Sequence, residues 1–600
     1  MNLKAFKRLF SYLKNYRARF ILAVAASVIG TMFTVIAPKL LGYITTTLSY
    51  GISDGIWTST EGVDSSYACY ILGNEVSKLE YIIYIVVVLT VMYIASLLFC
   101  GYANNSFSRV TALIIKDMRA DIELKMHKLS LNYFDTHVNG DVLSVITNDV
   151  DAINTLLGKN LYQIISSAVT LVGVLVMLFT SNIWMALIAA ALIPLTLITT
   201  TPLSKKNAKY YAAEHEILGE VNGYVEEIYN GQNVVSSFNY QDKAGAKFDE
   251  LNDQLQDKAQ QAENLSGAVM PVTQMVNNIG YAAAGLLGCV LAINGQMTIG
   301  TVQSALQYVK TFQQPFTTIA GMSGQLSDAL AACDRVFDLL DAEEEIPDPE
   351  NGLAPTKCDG TVAFKHVKFG YSPDHLLMND VSIDVKPGQK CAIVGPTGAG
   401  KTTLINLLMR FYEINSGEII VDGVDSGKMT RHELRTHFGM VLQDTWLFEG
   451  TIRDNLKYGT DRGVSDEEMI EAAKSVCADN FIRTMPGGYD MMLSKGAENI
   501  SQGQRQLLTI ARAIIANPEI MILDEATSNV DAHTEQTIQD AMATLLKGRT
   551  SFVIAHRLST IRDSNVILYM ENGDIKEVGD HDTLMALGGK YAELYNSQFA

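Results

Sequence analysis

Positive charge is what this chain most lacks. Its 600 residues carry 46 Lys and Arg against 65 Asp and Glu, a formal net charge of −19. A nucleic-acid backbone is held by a basic surface, so nucleic acid is excluded as a partner. Cysteine is sparse too. The seven present, Cys69, Cys100, Cys289, Cys333, Cys358, Cys391 and Cys477, have neither metal-site spacing nor the pattern of a disulfide framework. Cys69 alone falls in a stretch that reads as external, where it has no intrachain partner. A cleavable signal peptide is also missing, because the first 20 residues mix Lys and Arg with aromatic side chains and run straight into a span long enough to cross.

What the chain has in excess is apolar surface, and the excess is local. Hydrophobic residues make up 48% and charged residues 18%, with a mean hydropathy of +0.12, and the apolar runs concentrate before residue 330. A single core rarely grows beyond about 250–300 residues, so two large units are the minimum. Six membrane spans are predicted, at 18–43, 78–103, 158–180, 182–203, 265–292 and 299–325. Each suffices for the roughly 20 residues that cross the hydrocarbon core. The loop carrying Asp54, Glu61 and Asp64 reads as external. The long charged segments 104–157 and 204–264 read as cytoplasmic, chiefly from Arg109, Lys116, Arg119, Lys205 and Lys206 near the membrane. Residues Lys4 to Arg19 read as an interfacial helix with its cations toward anionic membrane lipids. Unpaired polar groups are costly in lipid, so Asn277, Gln307, Gln313 and Gln314 in the last two spans predict a cargo path, with a polar helix interface as the alternative.

The fold class predicted is a polytopic all-α six-helix transmembrane domain followed by an α/β P-loop nucleotide-binding domain. The membrane domain is placed at 1–330, an acidic, Pro- and Gly-containing linker at 331–355, and the nucleotide domain at 356–600, where short Val/Ile-rich strands alternate with helices. Cys391 to Val394 form a strand that runs into Gly395, Pro396, Thr397, Gly398, Ala399, Gly400, Lys401, Thr402 and Thr403. Such a loop turns backbone N–H groups and a helix N-terminus toward phosphate. Lys401 is expected on the β- and γ-phosphates of ATP and Thr402 on Mg²⁺. A second apolar strand, Ile520 to Leu523, ends in Asp524 and Glu525. Asp524 is placed to hold the hydrated Mg²⁺, and Glu525 to orient the attacking water.

With these residues, and with Gln443, Ile500 to Gln504, Asp531 and His556 following in order, the chain resembles the ATP-binding cassette exporters along essentially its whole length. The resemblance implies that Tyr371 stacks on adenine and that Gln443 contacts Mg²⁺ and the attacking water. It implies that His556 meets the γ-phosphate and that Ser501, Gly503 and Gln504 reach across a dimer to the other subunit's ATP. Asp531 belongs to the same nucleotide-binding set. One position departs from the common signature: Gln502 stands where glycine is usual. The stretch Asn499 to Ser528 is thereby similar to the catalytic-acid-bearing subunit of bacterial heterodimeric multidrug exporters. That likeness implies a second, non-identical six-span subunit with a degenerate catalytic acid, and a homodimer that tolerates Gln502 is the alternative.

The function implied is ATP hydrolysis-driven export of amphipathic drugs or lipids across a bacterial plasma membrane. The N-terminus and nucleotide domain are expected in the cytoplasm, and the cargo to be hydrophobic or amphipathic. A peptide exporter and an ATP-regulated membrane sensor are the other readings. The first is weakened because no processing-peptidase domain precedes residue 20.

Overall fold

The structure, a computed structural model, describes residues 3–53, 69–71, 74–372, 375–442, 445–460, 462–524, 532–555 and 561–597. The loop acids Asp54, Glu61 and Asp64 lie outside the described residues. The chain divides into two compact units, Met1–Met126 with Gly140–Asp341, and His127–Asn139 with Ala342–Ala600.

Among the described residues, the first unit is all helix apart from a short hairpin, Cys69–Ile71 with Asn74–Val76. Five stretches among the described residues are long and apolar enough to cross a membrane: Arg8–Tyr50, Lys78–Met126, Asn139–Ser181, Ile183–Asn230 and Gln241–Ile293. The sixth helix, Ile299–Gly321, has 23 residues, and Gln303, Gln307, Lys310, Gln313 and Gln314 dilute its apolar character. It runs unbroken through Pro315. The helices before and after the two cytoplasmic excursions reach far beyond bilayer thickness and turn back at the short helices Leu131–Thr136 and Gln232–Ser237.

At the start of the chain, the helix Leu3–Tyr12 is tied to protein. Leu9 and Leu13 are buried. Tyr12 donates to Asp121 at 2.7 Å, Tyr16 to Asp117 at 2.8 Å, and Arg8 pairs with Asp341 at 2.5 Å.

The first and sixth membrane helices touch backbone to backbone. A Cβ on Gly42 would strike the Gly300 carbonyl, and one on Gly300 would strike the Gly42 carbonyl. Only glycine permits so close an approach, the small-residue logic of helix pairs in lipid. Around this crossing Ser304 donates to the Pro38 carbonyl at 2.8 Å and Tyr308 to the Val35 carbonyl at 2.9 Å.

Among the described residues, the second unit holds two main sheets beside a two-stranded antiparallel pair, Gly450–Thr451 with Met492–Leu493. The larger has the order Asp574–Gly579, Val566–Glu571, Lys390–Val394, Thr550–Ile554, Ile520–Asp524, Phe438–Val441, parallel except for the antiparallel first pair. The smaller, Met378–Val385, Val362–Phe369, Ser416–Val421 and Val424–Asp425, is antiparallel. Strands of a parallel sheet covered on both faces are apolar throughout, and Cys391, Ala392, Ile393 and Val394 are all buried. Alternate residues serve opposite cores. Ala392 and Val394 pack with Leu507, Leu508 and Ile510, whereas Cys391 and Ile393 pack with Leu404, Leu407 and Leu408. This double anchoring fixes the C-terminal ends of the strands, where the phosphate loop and Asp524 emerge.

Candidate functional site

The strand Lys390–Val394 is followed by the loop from Gly395 and the helix Lys401–Leu408. Gly400 caps that helix in a left-handed conformation, φ 96°, which an L side chain adopts only under strain. The helix start leaves N–H groups without intrahelical partners, a ready anion site. Lys401 Nζ donates to the carbonyls of Gly395 at 2.9 Å and Pro396 at 3.0 Å. The ammonium is thus held over its own loop at the helix mouth. Partial burial lowers its pKa, and the nearby Asp524 carboxylate opposes that shift.

A cavity of about 450 Å³ gathers Tyr371, Thr397, Gly398, Ala399, Gly400, Lys401, Thr402, Thr403 and Asp524, with Leu377 and Ile554 as apolar wall. Asp524 is the last residue of the strand Ile520–Asp524 and pairs in register with Ile554. Tyr371 is half exposed, and its hydroxyl lies 2.9 Å from Thr403 Oγ1. Its ring meets Phe369 edge-on at 5.0 Å and Tyr412 at 5.1 Å. The site therefore offers an aromatic face, a phosphate cradle with one cation, and a hydroxyl and carboxylate as hard oxygen donors. Gln443, Glu525, Asp531 and His556 lie outside the described residues.

The signature residues are elsewhere in the unit. Ser501 caps the helix Gln502–Ala516 in a reciprocal box with Gln504: Ser501 Oγ accepts from the Gln504 amide at 3.3 Å, and Gln504 Oε1 accepts from the Ser501 amide at 3.0 Å. Gly503 is buried and Gln502 partly exposed. None of these four lines the phosphate-loop cavity.

Sequence reasoning missed Tyr412, and with it the partner of Asp135. The Tyr412 hydroxyl donates to Asp135, and burial, then the carboxylate, pushes the phenol pKa up. Asp135 belongs to the segment His127–Asn139, which groups with the nucleotide unit. There the Glu345 amide also donates to the Lys128 carbonyl at 2.8 Å. No motif marks this pair.

In the membrane unit, Asn277, Gln307, Gln313 and Gln314 line one open cavity of about 990 Å³, together with Gln303, Lys310 and apolar side chains. Gln313 is 5% exposed and donates from its amide nitrogen to Thr196 at 2.9 Å.

A P-loop site on an α/β domain, fused behind a helical membrane domain, defines a membrane-embedded nucleotide-driven machine. The family description "ABC transporter transmembrane region" matches residues 20–316, and "ABC transporter" matches residues 378–528. A fatty acid ABC transporter ATP-binding/permease protein of Mycobacterium bovis is 40% identical over 604 residues, covering 98% of this chain and 95% of its own length. An ATP-dependent lipid A-core flippase of Syntrophus aciditrophicus is 32% identical over 486 residues, covering 81% of this chain and 80% of its own length. Among solved structures, a bacterial Atm1-family ABC exporter with ATP bound superposes with a TM-score of 0.73 at 28% identity, over 97% of this chain and 98% of that one. The chain belongs to the ABC transporter family. It is a multi-pass membrane protein with a cytoplasmic ATP-binding domain that couples ATP hydrolysis to export.

These alignments overturn one expectation. The chain follows fused fatty-acid and Atm1-type transporters from end to end. It is not the acid-bearing half of a heterodimeric multidrug exporter, and the non-identical subunit with a degenerate acid is withdrawn as its partner. The physical reason is local. The asymmetry was inferred from Gln502, yet Gln502 occupies the first turn of a helix whose Ser501–Gln504 capping box is intact.

Proposed function

We propose that two copies of this chain export an acyl-bearing amphiphile across the bacterial plasma membrane, driven by ATP hydrolysis in the cytoplasm. The observation that carries this reading is the large cavity of mixed polar and apolar lining on the fifth and sixth helices, in a chain akin to proteins named for fatty acid and lipid A transport. Two copies are favoured because the Ser501 helix start stands outside its own chain's phosphate-loop cavity. A second copy supplies Ser501, Gly503 and Gln504 to close each ATP site.

Within that site Tyr371 stacks on adenine, and the residues from Gly395 to Thr403 cradle the phosphates, with Lys401 on the β- and γ-phosphates. Thr402, Asp524 and Gln443 hold Mg²⁺, which supplies charge compensation to the phosphates. Mg²⁺ is commonly bound by one or two carboxylates beside the substrate's phosphates, and Asp524 is the carboxylate that lines the cavity. Glu525 orients the attacking water, His556 contacts the γ-phosphate, and Asp531 belongs to the nucleotide-binding set. Binding that favours the closed pair, lost when phosphate leaves, drives the cycle.

The test is uptake of a labelled fatty acid into inside-out proteoliposomes. ATP-dependent accumulation that disappears in Glu525→Gln supports the reading. A well-assembled protein that hydrolyses ATP without moving any lipid refutes it.

A further inference from the structure

We propose that Lys310 receives the headgroup of the cargo, and that the cargo therefore carries negative charge. The assignment rests on the lipid-export reading above and adds the charge of what is exported.

Between Glu263 and Asp328, Lys310 is the one charged side chain. It stands eleven residues from each end of the helix Ile299–Gly321, about 16 Å from either end at 1.5 Å per residue. Within the predicted span 299–325 that is near mid-bilayer, too deep for a lysine stem to lift its ammonium to the headgroup region. The side chain is exposed and lines the 990 Å³ cavity, and among the described residues it has neither an ion pair nor a hydrogen bond. Ionisable groups at membrane depth face a protein interior or a watered path and find a counter-charge. The fifth and sixth helices offer none over this stretch, so the ligand brings it.

The surroundings suit a polar head with an apolar tail. Thr45 donates to the Gln303 carbonyl oxygen, leaving the Gln303 amide nitrogen to donate into the cavity. Asn277 Oδ1 and Gln313 Oε1 are buried acceptors without partners, which the water shell of a headgroup would satisfy. Met270 and Leu306 on the same wall give the tail apolar contact.

The experiment uses the full chain in nanodiscs of zwitterionic lipid, with each ATPase rate normalised to that variant's own rate without added ligand. The probes are a long-chain fatty acid, its methyl ester, phosphatidic acid and a long-chain alkylammonium. Wild-type protein is expected to respond to the acid at far lower concentration than to the ester. Lys310→Met should raise the half-saturating concentration of the acid about tenfold, the fold-change for losing one charge-assisted hydrogen bond, and leave that of the ester in place. Lys310→Arg should restore the acid response, and Lys310→Glu should turn the preference toward the alkylammonium. A response to phosphatidic acid rather than the fatty acid supports Lys310 as the anion receptor and assigns the headgroup as a phosphate. A wild-type response to the ester as strong as that to whichever anion is active, or equal shifts for both in Lys310→Met, overturns the assignment and leaves lipid export standing. No response to any lipid in the wild type overturns lipid export and this assignment with it.

Discussion

Replacing Tyr412 by Phe removes one oxygen and keeps the ring, which separates the two roles that meet at this residue. The ring stands edge-on to Tyr371, centroids 5.1 Å apart and planes at 87°, and so braces the adenine platform. The hydroxyl donates to Asp135, in the short helix Leu131–Thr136 at the turn of the first cytoplasmic excursion. A hydrogen bond to a charged group contributes about 1.5–3 kcal/mol, and for an exposed acceptor such as Asp135 about 1 kcal/mol is the better figure. That corresponds to roughly fivefold. Cargo-stimulated ATPase in nanodiscs should therefore fall about fivefold in Tyr412→Phe, while the KM for ATP stays within about twofold. Tyr412→Ala also loses the edge contact, about 0.5–1.5 kcal/mol, and should raise the KM for ATP about two- to tenfold. Asp135→Asn retains an acceptor and should remain near wild type, whereas Asp135→Ala should match Tyr412→Phe. The two changes combined should be no worse than either alone. The reasoning is refuted if Tyr412→Phe raises the KM for ATP as much as Tyr412→Ala does, or if the losses from Asp135→Ala and Tyr412→Phe add.

Two further outcomes are expected. Lys401→Ala removes the one cation at the helix mouth and should cost at least about tenfold in affinity for a fluorescent ATP analogue, with membrane insertion preserved; unchanged affinity would reject Lys401 as a phosphate contact. Gly300→Ala forces the first and sixth helices apart, an overpacking cost of about 1–3 kcal/mol, and should lower the thermal unfolding midpoint in detergent; an unchanged midpoint would mean that the crossing relaxes freely.

Contiguity decided what was legible in the sequence. The run from Gly395 to Thr403 is one strand, loop and helix start, so its composition alone reports the geometry, and the apolar strand ending in Asp524 is equally local. The helical membrane domain was legible from hydropathy, although the polar side chains of Ile299–Gly321 left the sixth helix a weaker signal than the other five. The pairing of Tyr412 with Asp135 was invisible because the two are 277 positions apart, and neither belongs to a motif. The error at Gln502 had a different source. A side chain was judged by its difference from a family pattern, without knowing that the helix start is held by Ser501 and Gln504. Lys310 could be seen as a lone charge, but the cavity it faces depends on how two helices pack.

The Gly42–Gly300 crossing has a use outside transport. With two backbones in direct contact and two side chains bolted to carbonyls across the seam, these helices form a single stave. Spin labels on lipid-facing positions of the two should keep one separation whether nucleotide is present or absent. That pair is a built-in ruler, against which every other helix displacement in the cycle can be measured.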